Sequence, residues 1–273
     1  MGMGWDIVPA GNLMPVWSRA NLPEVIERFG PDPYLLHEAN PDGQLFVSDS
    51  GWMEMESPDR FGRCGALIVG VDTLGTSAVD EAVSLLDDRC MRARQRLCWL
   101  SVDIHNDWPG GGQWQRGEGH ESDWVWMWTK QPACEPDPAW DLVELDDIAD
   151  AEEINAFALP VNPLFEGNPG RGENLLWVGL RDDRGRLIGC ITAHPNGAGK
   201  GHLAGLVVAP AHRRRGVARS MLAVISQRMI DRDGVCLLSA YAHNTGAIRA
   251  YEQVGYSVAH TFDFHFREPR FTG

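Results

Sequence analysis

"APAHRRRGVARSML", residues 209–222, is the stretch on which the reading of this chain turns. Three consecutive arginines and a Gly-Val-Ala stand between an apolar run and a helix-like apolar segment, in a chain of formal net charge −14. That order predicts a strand, a tight turn and a helix N-terminus. The first turn of a helix offers unpaired backbone N–H groups and the positive end of the aligned peptide dipoles, so it attracts anions. Gly216 lets backbone amides approach a bulky anion with no Cβ in the way, and Ala218 keeps the next position small. The arginines add charge and can reach phosphate oxygens. The turn therefore suits a pyrophosphate. It is neither a P-loop nor a dinucleotide fingerprint, because G-x-x-x-x-G-K-S/T and G-x-G-x-x-G are both missing.

The neighbouring segments read clearly. Residues 216–234 repeat Val217, Met221, Leu222, Ile225 and Met229 on one helix face, and Gly234 can end that helix. Before the turn, "GHLAGLVVAP" (201–210) is a buried strand, and residues 175–195 are two apolar runs joined by Asp182-Asp183-Arg184-Gly185, a hairpin. Further back lie a strand in 140–147, a helix over 147–159 spaced through Ile148, Ile154 and Phe157, and a loop or broken helix over 160–174. After the turn come a strand (235–243), a shorter helix (244–256) and a last strand (257–267). The order predicts a mixed α/β sheet.

A seam lies at "TKQPACEPDPAW" (129–140), where three prolines resist helix and sheet. We divide the chain there into a first domain (1–130), a linker (131–139) and a second domain (140–273). In the first domain, "GALIVGVD" (65–72), "LCWLSVDIH" (97–105) and "DWVWMWTK" (123–130) read as strands. Residues 76–96 read as a helix opened by a Ser77/Asp80 capping box. The strand-helix-strand order echoes residues 202–241.

The pattern Arg213-Arg214-Arg215-Gly216-Val217-Ala218 resembles the Q/R-x-x-G-x-G/A signature of the GNAT superfamily of acyl-CoA-dependent N-acyltransferases. "NTGAIRAYEQVGY" resembles that family's N-x-x-A-x-x-x-Y-E-x-x-G-F/Y segment, with Asn244 and Tyr251 in register. The resemblance covers about residues 140–268. It implies a GNAT-like fold and acetyl-CoA as co-substrate. Main-chain groups of Leu206, Val207 and Val208 would pair with the pantetheine arm, with Gly205 marking a bulge. The amides of Arg214, Arg215, Gly216, Val217, Ala218 and Arg219 would cradle the pyrophosphate, with Arg213 at the family's Gln/Arg position. Asn244 would contact the cofactor arm while capping its helix. Tyr251 would be the general acid for the leaving thiolate, a role open to a phenol. The first domain would be a diverged copy of the fold that binds no CoA, since its equivalent turn, "VDTLGTSAVDEA" (71–82), has no arginine.

The general base departs from the family pattern. The two positions where relatives carry Glu hold His202 and Ser239 here. His202 is the first candidate and Glu166 the second, with Glu173, His194 and a water chain also open. The expected reaction is acetyl transfer to a primary amine, small or cationic before protein-borne. The alternative is a non-catalytic acyl-CoA-binding regulatory or interaction module.

Composition bounds the partners. Residues 1–135 carry 21 acidic and 10 basic side chains, which argues against nucleic acid and fits either a solvated acidic surface or a cationic substrate or protein partner. No apolar run reaches the length of a membrane span, and the start lacks the pattern of a signal peptide. Six cysteines without a C-x-x-C pair suggest free thiols and a cytoplasmic protein. No metal is expected: Asp103, His105, Asp107, Glu118, His120 and Asp123 read as polar loops, and "WPGGGQWQRGEG" (108–119) as a flexible loop. Trp124, Trp126 and Trp128 share one strand face, as packed core or as an aromatic wall. A homodimer is left open.

Overall fold

The computed structural model describes residues 17–70, 74–106, 108–117 and 122–267. In the first half these form β1 (Ser18–Ala20), α1 (Leu22–Phe29), α2 (Pro33–His37), β2 (Gln44–Val47), β3 (Gly51–Met55), β4 (Arg63–Gly70), α3 (Thr76–Arg92), β5 (Arg96–Asp103), β6 (Gln115–Arg116) and β7 (Trp124–Thr129). The second half forms β8 (Leu142–Leu145), α4 (Ala151–Val161), β9 (Leu176–Arg181), β10 (Leu187–Pro195), β11 (Gly201–Val208), α5 (Val217–Asp233), β12 (Cys236–Tyr241), α6 (Thr245–Val254) and β13 (Ser257–Phe266).

Among the described residues the strands join one mixed sheet in the order β1-β2-β3-β4-β5-β13-β7-β12-β11-β10-β9-β8, with β6 on β13. Most neighbours are antiparallel, while β4–β5 and β11–β12 are parallel, each pair joined through a helix, α3 or α5. The last strand, β13, lies between β5 and β7, and β7 lies between β13 and β12. Each half thus places a strand inside the other's part of the sheet, and the proline-rich segment 131–139 runs between β7 and β8.

Helices cover both faces. α3 buries Val79, Ala82, Val83 and Leu86 against Phe46, Met53, Ile68 and Leu100. α5 buries Val217, Met221, Leu222, Ile225 and Met229, the periodic face read from the sequence, against Val125, Met127, Ile191 and Leu238. On the opposite face Val25 of α1 and Leu35 of α2 pack on Trp52 and Leu67, and also on Trp126, Leu237 and Phe262. That cluster is one core shared by both halves. α4 covers Trp177, Cys190 and Val207 on the same face.

Two local expectations are corrected. No capping box opens α3: Gly75 (φ 74°) is its N-cap, Ser77 lies inside it, and Asp80 instead accepts from Trp108 Nε1 at 2.9 Å. Ile148 lies ahead of α4 and is 60% exposed, because the helix starts later than its apolar spacing suggests. The described residues contain no helix long and apolar enough to cross a membrane. All six cysteines are free.

Candidate active site

The arginine turn has the geometry of an anion cradle. Arg214 (φ 58°) and Gly216 (φ 84°) are left-handed, a strained choice for the arginine and an easy one for the glycine. Gly216 is the N-cap of α5, and no side chain caps that end. The first-turn N–H groups are thus left for a ligand, and Arg213, Arg214, Arg215 and Arg219, which flank them in sequence, have exposed side chains. Arg213 folds back so that its Nε donates to the Val208 carbonyl at 3.0 Å, and the Arg215 guanidinium lies 5.6 Å from the Trp140 ring centre. The side chain of Val217 is buried in the core and that of Ala218 packs against it, so both can offer a ligand only their backbone.

Next to the turn the sheet opens. β11 pairs with β12 only through His202–Leu237 and Leu203–Leu238, while β10 follows β11 as far as Val208. From Ala204 onward the parallel strands part, and the edge holding Leu206, Val207 and Val208 is not paired by β12. A bulge drives the divergence. Gly205 and Leu206 together stand opposite Ile191, and Gly205 takes φ +62°. A Cβ there would lie 2.8 Å from Phe165 Cε2 and 2.9 Å from Gly167 Cα, so glycine is required for fit as well as for conformation. The residues present therefore fit a long, thin molecule ending in a diphosphate.

Two clefts meet at this opening. The larger, about 400 Å³, is lined by Tyr34, Glu38, Glu56, Ser101 and Trp124 of the first half and by Asn162, Glu166, Ser239, Tyr241, Asn244 and Tyr251 of the second. The smaller, about 240 Å³, is lined by His194, His202 and Ile191. Glu166, Gly205, Leu206, Ser239 and Tyr251 line both. Tyr251 packs edge-on to Tyr256 (6.1 Å between ring centres), and burial pushes its hydroxyl up to about 12, so it keeps its proton at neutral pH. Asn244 caps α6, its Oδ1 accepting from the Ala247 N–H at 3.2 Å. Glu166 accepts from the Tyr241 hydroxyl at 3.1 Å. Glu173 is exposed and lines neither cleft.

His202 is mostly buried. Its Nδ1 lies 3.1 Å from Glu38 Oε2, and its ring stacks on His194 at 5.5 Å. Burial first, and then the neighbouring His202, lower the His194 value. The larger cleft is negative among the described residues: Glu38, Glu56 and Glu166 line it, and no described Lys, Arg or His does. Behind it burial raises the Glu54 carboxyl to about 7, and Glu38 and Glu56 add to the effect.

Sequence reasoning missed the first half's share of this site. Glu38 sits at the end of a five-residue helix, 164 positions from His202. Signals for that region existed: Asn21 and Glu24 form a capping box on α1, and Asp32 caps α2 just ahead of Pro33. The tryptophan row divides. Trp126 is core and donates to Glu38 at 3.1 Å, while Trp124 lines the cleft and donates to Ser101 Oγ at 3.0 Å. Of the six residues read as polar loops, Asp107, Glu118 and His120 lie outside the described residues. Asp103 is engaged by His105 and His260, and the described residues hold no cluster of three or more potential metal ligands.

Residues 141–256 match the model of the Acetyltransferase (GNAT) family. Among solved structures, the GCN5-related N-acetyltransferase from Kribbella flavida is 15% identical, with a TM-score of 0.50 over 85% of this chain and 90% of that one. The GCN5-related N-acetyltransferase from Sphaerobacter thermophilus is 16% identical, with a TM-score of 0.50 over 94% of this chain and 97% of that one. At these identities the likeness concerns the fold, and it extends across both halves. No curated protein matches the chain.

Proposed function

From the match of residues 141–256 to the Acetyltransferase (GNAT) family model, we propose that the protein is an acetyl-CoA-dependent N-acetyltransferase whose acceptor is a small, cationic primary amine. One observation carries the reading. Gly205 and Leu206 on the opened edge of β11 line one cleft with the Tyr251 side chain and an acidic opposite wall, and β11 runs on from there to the uncapped turn of α5. Carboxylates at Glu38, Glu56 and Glu166 favour an ammonium group and disfavour anionic acceptors.

In this reading the first-turn amides of α5 and the flanking arginines hold the diphosphate, and the free edge of β11 holds the pantetheine arm. The amine nitrogen attacks the thioester carbonyl carbon, a C–N bond forms and the C–S bond breaks. His202 takes the proton that leaves the nitrogen, and Tyr251 gives its proton to the departing sulfur. Glu166, exposed at the mouth of both clefts, fits attraction of the amine better than abstraction of its proton. One observation favours a second reading, a CoA-binding module without turnover: neither carboxylate position of the family is acidic here, since they hold His202 and Ser239.

A thiol-release assay with acetyl-CoA and a panel of amines separates the two. Release that depends on amines and is fastest with cationic ones supports the enzyme. Binding of acetyl-CoA with no release from any amine supports the module. Tyr251→Phe is expected to slow release by about 100–10,000-fold while the heat of CoA binding stays unchanged. An equal loss of both would make Tyr251 structural.

A further inference from the structure

The wall opposite the CoA wedge contributes more than negative charge. Glu38 comes from the first half, and its Oε2 sits among three nitrogens: Asn196 Nδ2 at 3.0 Å, Trp126 Nε1 at 3.1 Å and His202 Nδ1 at 3.1 Å. We propose that Glu38 is the positioning residue of the transfer reaction, holding His202 in the tautomer and orientation in which its Nε2 accepts the amine proton. This rests on the acetyltransferase reading above.

The argument starts from proton inventory. An ionised carboxylate only accepts hydrogen bonds, so the His202–Glu38 contact requires a proton on Nδ1, and in the neutral ring this leaves the Nε2 lone pair free. Glu38 is held ionised. Burial pushes its carboxyl up, while the hydrogen bonds from His202, Asn196 and Trp126, and the charge of His202 once that ring is protonated, bring it below the ordinary value; the three hydrogen bonds remain when the ring is neutral. When His202 takes a proton, the negative charge beside Nδ1 stabilises the imidazolium, as an orienting carboxylate does in a hydrolase triad. The proton then passes to solvent through the smaller cleft, which His202 lines together with Tyr251.

The carboxylate is itself fixed by the second half. The turn joining β10 to β11 grips the end of α2: Asn196 Nδ2 donates to the His37 carbonyl at 2.8 Å, and Lys200 Nζ donates to the Leu36 carbonyl at 3.1 Å. Lys200 Nζ also lies 2.7 Å from His37 Nδ1, and burial, then Lys200, lowers His37 to about 4, so that ring is a neutral acceptor. The ionisable groups around the pair are thus His194 on β10, Glu54 on β3, Glu56 at the cleft, and His37 and Lys200 behind Glu38. Among these, His194 and His37 are held neutral at physiological pH. A relay that spans the two halves explains why this chain dispenses with the carboxylates at positions 202 and 239.

The test uses the whole 273-residue chain. Glu38→Gln is expected to lower kcat by roughly 100-fold, as misplacement of a catalytic group does, to leave the KM for acetyl-CoA nearly unchanged, and to displace the acidic limb of the pH–rate profile. Glu38→Asp is expected to recover part of the loss. His202→Gln should remove the limb, and the double variant Glu38→Gln/His202→Gln should be no slower than His202→Gln alone, because residues acting as one unit are not additive. Unchanged kcat and pH profile in a folded Glu38→Gln protein, or multiplying losses in the double variant, would overturn the proposal and leave the acetyltransferase reading intact. Absence of amine-dependent release from the wild type would overturn both. If Glu38→Gln does not fold, histidine NMR of the wild type decides: a neutral His202 protonated at Nδ1 supports the relay, and one protonated at Nε2 ends it.

Discussion

Gly205 shows how a single residue opens a site. Its left-handed φ and the closeness of Phe165 and Gly167 leave no room for a side chain, and the bulge it allows is where β11 leaves β12. Gly205→Ala is expected to destabilise the fold by about 2–3 kcal/mol, from backbone strain plus overpacking, and to weaken acetyl-CoA binding more than it lowers stability would suggest. Denaturant unfolding and calorimetry with acetyl-CoA measure the two effects separately. Gly216 differs: nothing but the edge of Trp140, 3.8 Å away, approaches the site of a Cβ there. Its glycine is needed for the left-handed turn and for access of a ligand to the amides.

At the scale of elements, the β10–β11 turn and the end of α2 act as one latch. Asn196 is its central part, bonding the His37 carbonyl and the Glu38 carboxylate while its own Oδ1 accepts from the Ala198 and Lys200 N–H groups at 3.0 and 2.9 Å. Asn196→Ala removes these partners from a half-buried place and is expected to cost about 1–3 kcal/mol. It should also slow acetyl transfer without affecting CoA affinity, since the α5 turn is untouched. Equal activity in Asn196→Ala and wild type would show that the latch serves stability alone. α5 needs no such support. Its position was readable from periodicity because its whole apolar face meets one continuous stretch of sheet.

Across the whole molecule, β13 is the strand that joins the halves, and a buried ion triad fixes it. His260 Nε2 lies 2.9 Å from Asp32 Oδ2 and its Nδ1 3.1 Å from Asp103 Oδ2. Burial would lower His260, but the hydrogen bonds and charges of Asp103 and Asp32 outweigh it and raise the ring to about 9. A histidine raised in the folded state contributes stability that is complete below its unfolded value near 6.5 and is lost as pH rises through about 9. Unfolding free energy is therefore expected to fall by about 2 kcal/mol between pH 7 and pH 10 through this group. Urea titrations across that range should give a flatter dependence for His260→Gln. An equal slope in both proteins would mean that the triad is not charged.

Local chemistry wrote the second half into the chain: a glycine where the turn goes left-handed, apolar residues at the helical interval along α5, Asn244 ahead of α6. Each of these signals acts between near neighbours, so composition and spacing carried the element order and the anion-binding turn. The interleaving of β7 with β13, and the pairing of Glu38 with His202, came from packing alone. Strand partners remote in sequence leave no periodic trace, and helices as short as α1 and α2 owe their place to the core they share with Trp126 and Leu237. The chain's own letters thus supplied the turn proposed to hold coenzyme A. The folded molecule supplied the opposite wall, because only the closed sheet brings the first half's carboxylates to it.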